Sequence, residues 1–531
     1  MKLQKVILIG VAVLLFLTGC NGVAIPPPSQ DSLKKDNEQT KNKNPNNDVN
    51  VVDDGPFEKN GLVPRAFDLR KRGGVTPIKN QYKDGACRSF ASLAALESHI
   101  KYKHKEELDL SENNMEMRHG FFFNNKTREG RTRESDLPYL INGLGPILEE
   151  YDKYIPMTDD KGTSNKPDGY LTRTQVDNLT KVQDKSRARL VMGFKFLKKV
   201  DTNNLTQEED EKLIQIKQAI KEHGAVVSNI YMSHNGHGKF PYQNTTYYNS
   251  EKYAYYSDEK RCPHGTCPSV ANHAIAIVGW DDNFKKENFT KQPPIDGAWI
   301  CKDAQTESFG DKGYFYVSFC SDSIGEDAYV FTDVRASNEY DGIYQHDEVA
   351  FSGFCKGDEL SGDDDEIRKS ILFNRYEVKN DGEVLKEIGF YTTKPNAEYE
   401  VYLIPDFDNF KKEIRNKHLS DGDEFYNFLQ GKNYKLFSGK EQYAGYHTKK
   451  LKESGHSLTK NKAFALGIWT RNPSSEDSEH KWDIVLEKQQ TGGIGDKAKV
   501  GSNETFAFTD MGQLTDIKAT GNACIKGYYK K

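Results

Sequence analysis

The chain has no excess of basic residues. Its 531 residues include 74 Lys and Arg against 79 Asp and Glu, a formal net charge of -5. No basic block or nucleic-acid reading motif interrupts that balance, which argues against a nucleic-acid partner. Cysteine is scarce too, eight in all, few for an exported chain of this length. Long apolar runs are missing apart from Val6 to Leu17, which is too short to span a bilayer comfortably as a permanent helix. The mean hydropathy of -0.78 implies a very polar surface. Packed cores are still within reach, because 36% of residues are hydrophobic and 11% aromatic. Length alone implies two or more folded units.

The first 20 residues form a targeting segment. Lys2 and Lys5 supply a charged start, the apolar run follows, and Leu17-Thr18-Gly19-Cys20 closes it. This resembles a bacterial lipoprotein signal peptide, and the resemblance implies that Cys20 becomes the lipidated N-terminus after cleavage. An ordinary secretory signal or an uncleaved anchor are the alternatives. All three place the protein outside the cytoplasm, and the first places it on the extracellular face of a bacterial membrane. Residues 21–60 are rich in Asn, Asp, Lys, Pro, Ser and Gln with almost no apolar spacing. Such a segment cannot bury enough surface to offset its ordering entropy, so a disordered tether is expected.

The chemistry centres on Gln81-Tyr82-Lys83-Asp84-Gly85-Ala86-Cys87-Arg88-Ser89-Phe90. After Cys87 the apolar residues Phe90, Leu93, Leu96 and Ile100 recur at helical spacing. Cys87 is thus predicted to open a helix, where unpaired backbone N–H groups and the helix dipole stabilise a thiolate. Arg88 beside it is expected to push the same way. Downstream, His273 opens the apolar run Ala274-Ile275-Ala276-Ile277-Val278. A second strand, Trp299-Ile300-Cys301-Lys302, ends at Asp303, and Gly310-Asp311-Lys312-Gly313-Tyr314-Phe315 follows.

The series Val75 to Gln81, Gly85-Ala86-Cys87, Leu110-Ser111-Glu112, Asn272-His273-Ala274 and Gly310 to Phe315 resembles the papain family of cysteine peptidases across residues 61–333. The resemblance implies an α+β, two-lobed peptidase domain. Cys87 would be the nucleophile and His273 its imidazole partner, with Gln81 and the Cys87 backbone N–H receiving the oxyanion. The family's usual Asn is matched by Asp303, the Trp that shields the His bond by Gln305, and the Trp after the nucleophile by Arg88. A carboxylate can still fix the imidazole tautomer. No cofactor is required for this chemistry. Gly145-Pro146-Ile147-Leu148-Glu149-Glu150 and Tyr154 resemble a wall of the cleft, and residues 232–271 are expected to form a long loop near the site. The tether is too short and polar for the folded inhibitory propeptide common in this family.

Cys262, Cys267, Cys301, Cys320, Cys355 and Cys524 have no assigned role, and sequence leaves their pairing open. Cys262 and Cys267 suit a small disulfide loop. With His264 between them they also admit a metal site, although the spacing fits no common zinc arrangement.

From residue 334 to 531 the texture becomes short alternating strands between polar turns, including Ile388 to Thr393, Tyr399 to Leu403 and Ala463 to Trp469. An all-β sandwich follows from it. Tyr340 to Gln345, Gly389 to Thr393, Ala444 to Thr448 and Ala523 to Lys526 look like the lectin-like module of clostridial and related surface peptidases. Its aromatic residues are read as core before sugar platform. The acidic run Asp358, Glu359, Asp363, Asp364, Asp365 and Glu366 is a solvated loop or a calcium site. The whole reads as an extracellular, lipid-anchored cysteine endopeptidase acting on proteins or peptides, its lectin-like module a candidate binder of wall or surface glycans. The competing reading is a catalytically weak or inactive papain-like surface-binding or adhesion lipoprotein that acts through its lectin-like domain.

Overall fold

The computed structural model describes residues 63–118, 133–156, 187–198, 207–232, 246–258, 271–321, 323–347, 353–355, 371–472, 484–488, 498–509 and 512–531. The targeting segment with Cys20, the tether, the Cys262–Cys267 stretch and the acidic run 358–366 lie outside them.

Among the described residues of the N-terminal half, helices α1 (Cys87–His99), α2 (Glu112–Arg118), α3 (Arg133–Ile141) and α4 (Gln207–His223) accompany nine strands. These are β1 (Ala66–Asp68), β2 (Arg189–Phe196), β3 (Val226–Ile230), β4 (Tyr248–Asn249), β5 (Ala254–Tyr255), β6 (His273–Asp281), β7 (Ala298–Lys302), β8 (Tyr314–Ser318) and β9 (Glu326–Ala336). The helix predicted after Cys87 is present and starts at that residue. It widens into a π-helical turn over Ile100–His104.

Helix α1 is buried almost all round, which requires partners for its polar side chains. Ser89 Oγ donates to Glu116 at 2.5 Å, Ser98 Oγ to the Gly74 carbonyl at 2.6 Å, and Glu97 accepts from Thr76 at 2.6 Å and Lys79 at 2.9 Å. Leu93, Leu96 and Ile100 of this helix share one core with Ile275, Ile277 and Val278 of β6 and Ile216 and Ile220 of α4. The residue 232–271 segment, expected as a loop, contains β4 and β5. The two pair with each other, and β5 runs parallel to β8.

A 14-stranded sheet runs through both halves of the chain. Its path β2-β9-β3-β6-β7-β8-β5-β4 is extended beyond β2 by strands Gly445–Lys450, Val384–Thr392, Ile525–Lys530 and Gly342–Tyr344. The join is the pairing of Gly445 with Lys195 and Tyr446 with Phe194. Gly445 has φ 152°, and a Cβ there would sit 2.2 Å from the Phe194 carbonyl oxygen, so the close approach demands glycine. Tyr391, Tyr446 and Cys524 are buried in the same core as Phe194 and Val191. Asn142 adds a polar tie, donating to the Asp347 carbonyl at 2.5 Å and accepting from Gln345 at 2.9 Å.

A six-stranded sheet, with Ala463–Arg471 and Leu372–Glu377 at its centre and Ala397–Ile404 beside the former, packs against this extension. Ile388, Phe390 and Ile525 meet Val401, Leu403 and Leu466 between the two layers, which gives the expected β-sandwich. It is not all-β. Helices Phe407–Lys417 and Gly422–Gly431 cover the outer face of the six-stranded sheet, setting Phe410, Ile414, Phe425 and Leu429 against Phe373, Tyr402 and Ile404. Each is capped by an aspartate, Asp406 accepting from Asn409 N–H at 3.1 Å and Asp421 from Glu424 N–H at 2.9 Å. Such caps contribute about 1 kcal/mol each. The aromatic residues expected in the core are there: Tyr402, Tyr446 and Tyr528 are at most 1% exposed.

Candidate active site

Three segments converge on Cys87. The loop before it is tied to the segment after β7: Gln81 N–H donates to the Ala304 carbonyl at 2.9 Å and Asn80 bridges Gln305. Within that loop Tyr82 is left-handed at φ 54°, and its N–H is taken by Asn80 Oδ1 at 2.7 Å. Gln81 is buried, its Nε2 donating to the Asp84 carbonyl at 2.9 Å. Tyr154 clamps the same turn from the wall segment, donating to Asp84 Oδ2 at 2.8 Å and lying 3.3 Å from the Gln81 carbonyl. Its ring meets Phe90 edge-on at 4.9 Å. Sequence reasoning placed Tyr154 in the wall but gave it no such contact.

His273 is the first residue of β6, where its backbone pairs with Ile230 of β3. Because β6 and β7 run antiparallel with Ala276 opposite Lys302, the residue after β7 returns beside it. That residue is Asp303. His273 Nε2 lies 3.0 Å from Asp303 Oδ1 and 3.1 Å from Oδ2, and Ala304 N–H donates to Oδ1 at 2.7 Å. With Nε2 so engaged, Nδ1 is the ring atom left to face Cys87, which is near enough to help raise the imidazole. Burial opposes a charged ring here. The charge and hydrogen bond of Asp303, aided by Cys87, outweigh it and hold His273 well above the ordinary imidazole value.

The four residues singled out from sequence, Cys87, His273, Asp303 and Gln81, therefore share one site. Cys87 is a partly exposed free thiol, whereas the free thiols of Cys301 and Cys524 are buried.

Arg88 does not act as expected. It is 1% exposed and turned inward, its Nε 3.0 Å from Asp136 Oδ2 and its Nη1 2.5 Å from Asn229 Oδ1. Burial commits this guanidinium to its own counter-ion, Asp136, rather than to the thiol.

Behind Cys87 lies a cavity of about 20 Å³, lined by Lys79, Glu97, Glu112, Lys302 and Asp303 among others. That is room for one water. Lys79 Nζ reaches Glu97 at 2.9 Å and Glu112 at 2.8 Å, and Lys302 Nζ reaches the Thr76 carbonyl at 2.9 Å. Burial pushes Lys302 down to about 8. This charged cluster was not anticipated from sequence, although Lys79, Glu112 and Lys302 stand within the motifs that were. Among the described residues, no group of three or more His, Cys, Asp or Glu is arranged to hold a metal, and no helix is long and apolar enough to cross a membrane.

Residues 63–331 match the model of the papain family cysteine proteases, and residues 343–529 that of the lectin-like domain. Mouse cathepsin K is 47% identical over 58 residues, 11% of this chain and 18% of that protein. The viral cathepsin of Autographa californica nuclear polyhedrosis virus is 45% identical over 67 residues, 13% of this chain and 20% of that protein. The chain thus spans about a fifth of the curated relatives it matches.

Among solved structures, the clostridial cysteine protease Cwp84 after propeptide cleavage has 24% identity and a TM-score of 0.64, covering 88% of this chain and 99% of that one. The cysteine protease and lectin-like domains of Cwp84, a surface layer associated protein of Clostridium difficile, give 24% and 0.63 over 88% of each. These two likenesses are of fold. With more than half of its length matched by the family model, the chain belongs to the papain family of cysteine proteases, followed by a lectin-like domain.

Proposed function

We propose that the protein is a cysteine endopeptidase, exported and held at the outer face of a bacterial membrane by lipid on Cys20, with protein or peptide substrates. The observation that carries the reading is the line Cys87, His273, Asp303, in which a buried carboxylate fixes the imidazole and holds its charge. Cys87 attacks the scissile carbonyl as a thiolate at the start of α1. His273 protonates the leaving amine and then activates the water that hydrolyses the thioester. The Cys87 backbone N–H and the second N–H of Gln81 Nε2 receive the oxyanion, the first being committed to Asp84. The lectin-like domain positions the enzyme on wall or surface glycans. Support for an extracellular site comes from the signal-like N-terminus and from the fold shared with a surface layer associated protein.

The test is labelling of the protein by an epoxide or vinyl-sulfone thiol inhibitor with mass mapping. Stoichiometric adduct on Cys87, absent in Cys87→Ala and accompanied by loss of peptide cleavage, is the expected result. A folded, reduced protein that takes no adduct overturns it.

A further inference from the structure

Arg88 follows the nucleophile directly, yet its side chain is buried among polar partners from three other elements. Its Nε pairs with Asp136 of α3 at 3.0 Å, and the guanidinium lies over the Tyr329 ring of β9, 5.3 Å from the centroid. Ser92, one turn along α1, donates to the same Asp136 oxygen at 2.9 Å and meets the Tyr329 hydroxyl at 2.6 Å. One terminal arm, Nη1, donates to Asn229 Oδ1 of β3, while Asn229 Nδ2 donates to Asp327 Oδ2 at 3.0 Å; the other arm, Nη2, is buried with no hydrogen-bond partner among the described residues. A fully buried guanidinium survives only when such partners compensate it. Here the partners come from three elements, Asp136 of α3, Asn229 of β3 and Tyr329 of β9.

The register makes the placement informative. Asn229 lies opposite Ala274 of β6, and the next residue, Ile230, lies opposite His273. Arg88 therefore bolts the residue after Cys87 to the residue before the backbone partner of His273. A thiolate and an imidazolium lose reactivity steeply when their spacing drifts, and about 1 Å of misplacement can cost on the order of 100-fold. The geometry points to Arg88 as a positioning residue, with Asn229 as its arm, that sets the distance between Cys87 and His273. This rests on the reading of those two residues as the reacting pair. Asp303 contacts the imidazole and the Ala304 N–H, and the Lys79, Glu97, Glu112 and Lys302 cluster lines the cavity behind Cys87. Changing Asn229 alters none of these charges.

The decisive variants are Asn229→Ala, which leaves the Arg88 pair with Asp136 intact, and Arg88→Lys, which keeps charge but loses the fork. Each is compared with wild type in melting temperature, in kcat and KM on a peptide substrate, and in the pH profile of Cys87 alkylation by iodoacetamide. The expected result for Asn229→Ala is a fall in kcat of roughly tenfold or more with KM within about twofold. The acid limb of alkylation should also move to higher pH as the ion pair loosens. Arg88→Lys should change in the same direction and further. A folded Asn229→Ala with wild-type kcat and an unshifted alkylation profile overturns the proposal. Failure of wild-type Cys87 to alkylate preferentially would instead remove the reading of the reacting pair itself.

Discussion

His273 and Asp303 are joined through one imidazole nitrogen and both carboxylate oxygens, at 3.0 and 3.1 Å, with side chains only 7% and 4% exposed. In so dry a place the carboxylate charge is weakly screened. The imidazolium is stabilised relative to the free ring, so this interaction supports the fold most fully below the ordinary imidazole value of 6.5 and fades as the solution becomes alkaline. Asp303→Asn removes the charge but keeps an acceptor. The alkaline limb of kcat/KM should then fall by about one pH unit or more. A pH-rate profile that superimposes on wild type would refute this.

Gln81 is held in place by Asp84 and Tyr154, and the proposed reaction uses it as an oxyanion donor. Gln81→Ala is expected to lower kcat by roughly 100-fold to 1,000-fold, the usual cost of one oxyanion donor. Alkylation of Cys87, which forms no oxyanion, should keep its wild-type rate. Tyr154→Phe loses the 2.8 Å bond to Asp84 and should lower kcat by about tenfold. Steady-state kinetics alongside iodoacetamide rates separates these effects from a damaged nucleophile.

Acid should weaken the protein through two histidines far from the chemistry. Burial, with His104 and Lys103 nearby, holds His99 down to about 4, and burial with Lys195 and His99 holds His223 down to about 3. Asp333 near His99 and Glu222, 3.5 Å from His223, oppose this only in part. Both rings are neutral when folded and charge readily when unfolded. Stability is therefore full above about 6.5 and is lost as pH falls toward 4, by on the order of 3 kcal/mol from His99. Denaturant titrations at pH 7 and 4.5 should show the loss, and His99→Gln should flatten it.

Gly445→Ala should strain the join between the two halves, since the new Cβ meets the Phe194 carbonyl at 2.2 Å. A cost of roughly 2 kcal/mol or more is expected. Because Tyr446 and Tyr391 share a core with Phe194, calorimetry should show both halves losing stability together. A variant in which only one half melts earlier would contradict that coupling.

The candidate site was legible as a set of residues the fold brings together, because Gln81, Cys87, His273 and Asp303 each stand in a recognisable local pattern. Arg88 was misread because sequence adjacency to Cys87 says nothing of where a long side chain goes. Its partners Asp136, Asn229 and Tyr329 are distant in sequence, and only the fold brings them together. The two helices over the six-stranded sheet had signals that went unused. Asp421 stands three residues before Glu424, a capping pattern. Tyr402, Leu403 and Ile404 form an unbroken apolar run, the mark of a strand covered on both faces, with Leu403 inside the sandwich and Tyr402 and Ile404 under the helices. The join at Gly445 had no sequence signal, because which strand edges meet is a property of the assembled layers.

That join has a geometric consequence. Two modules that share backbone hydrogen bonds and a common core at their border have no hinge there, so they keep one bearing relative to each other. A surface gripped by the C-terminal half would meet the cleft from a single direction and at a single offset, as work held in a vice meets the tool. The range of scissile bonds within reach would then be narrowed by orientation before any side-chain preference in the cleft is consulted.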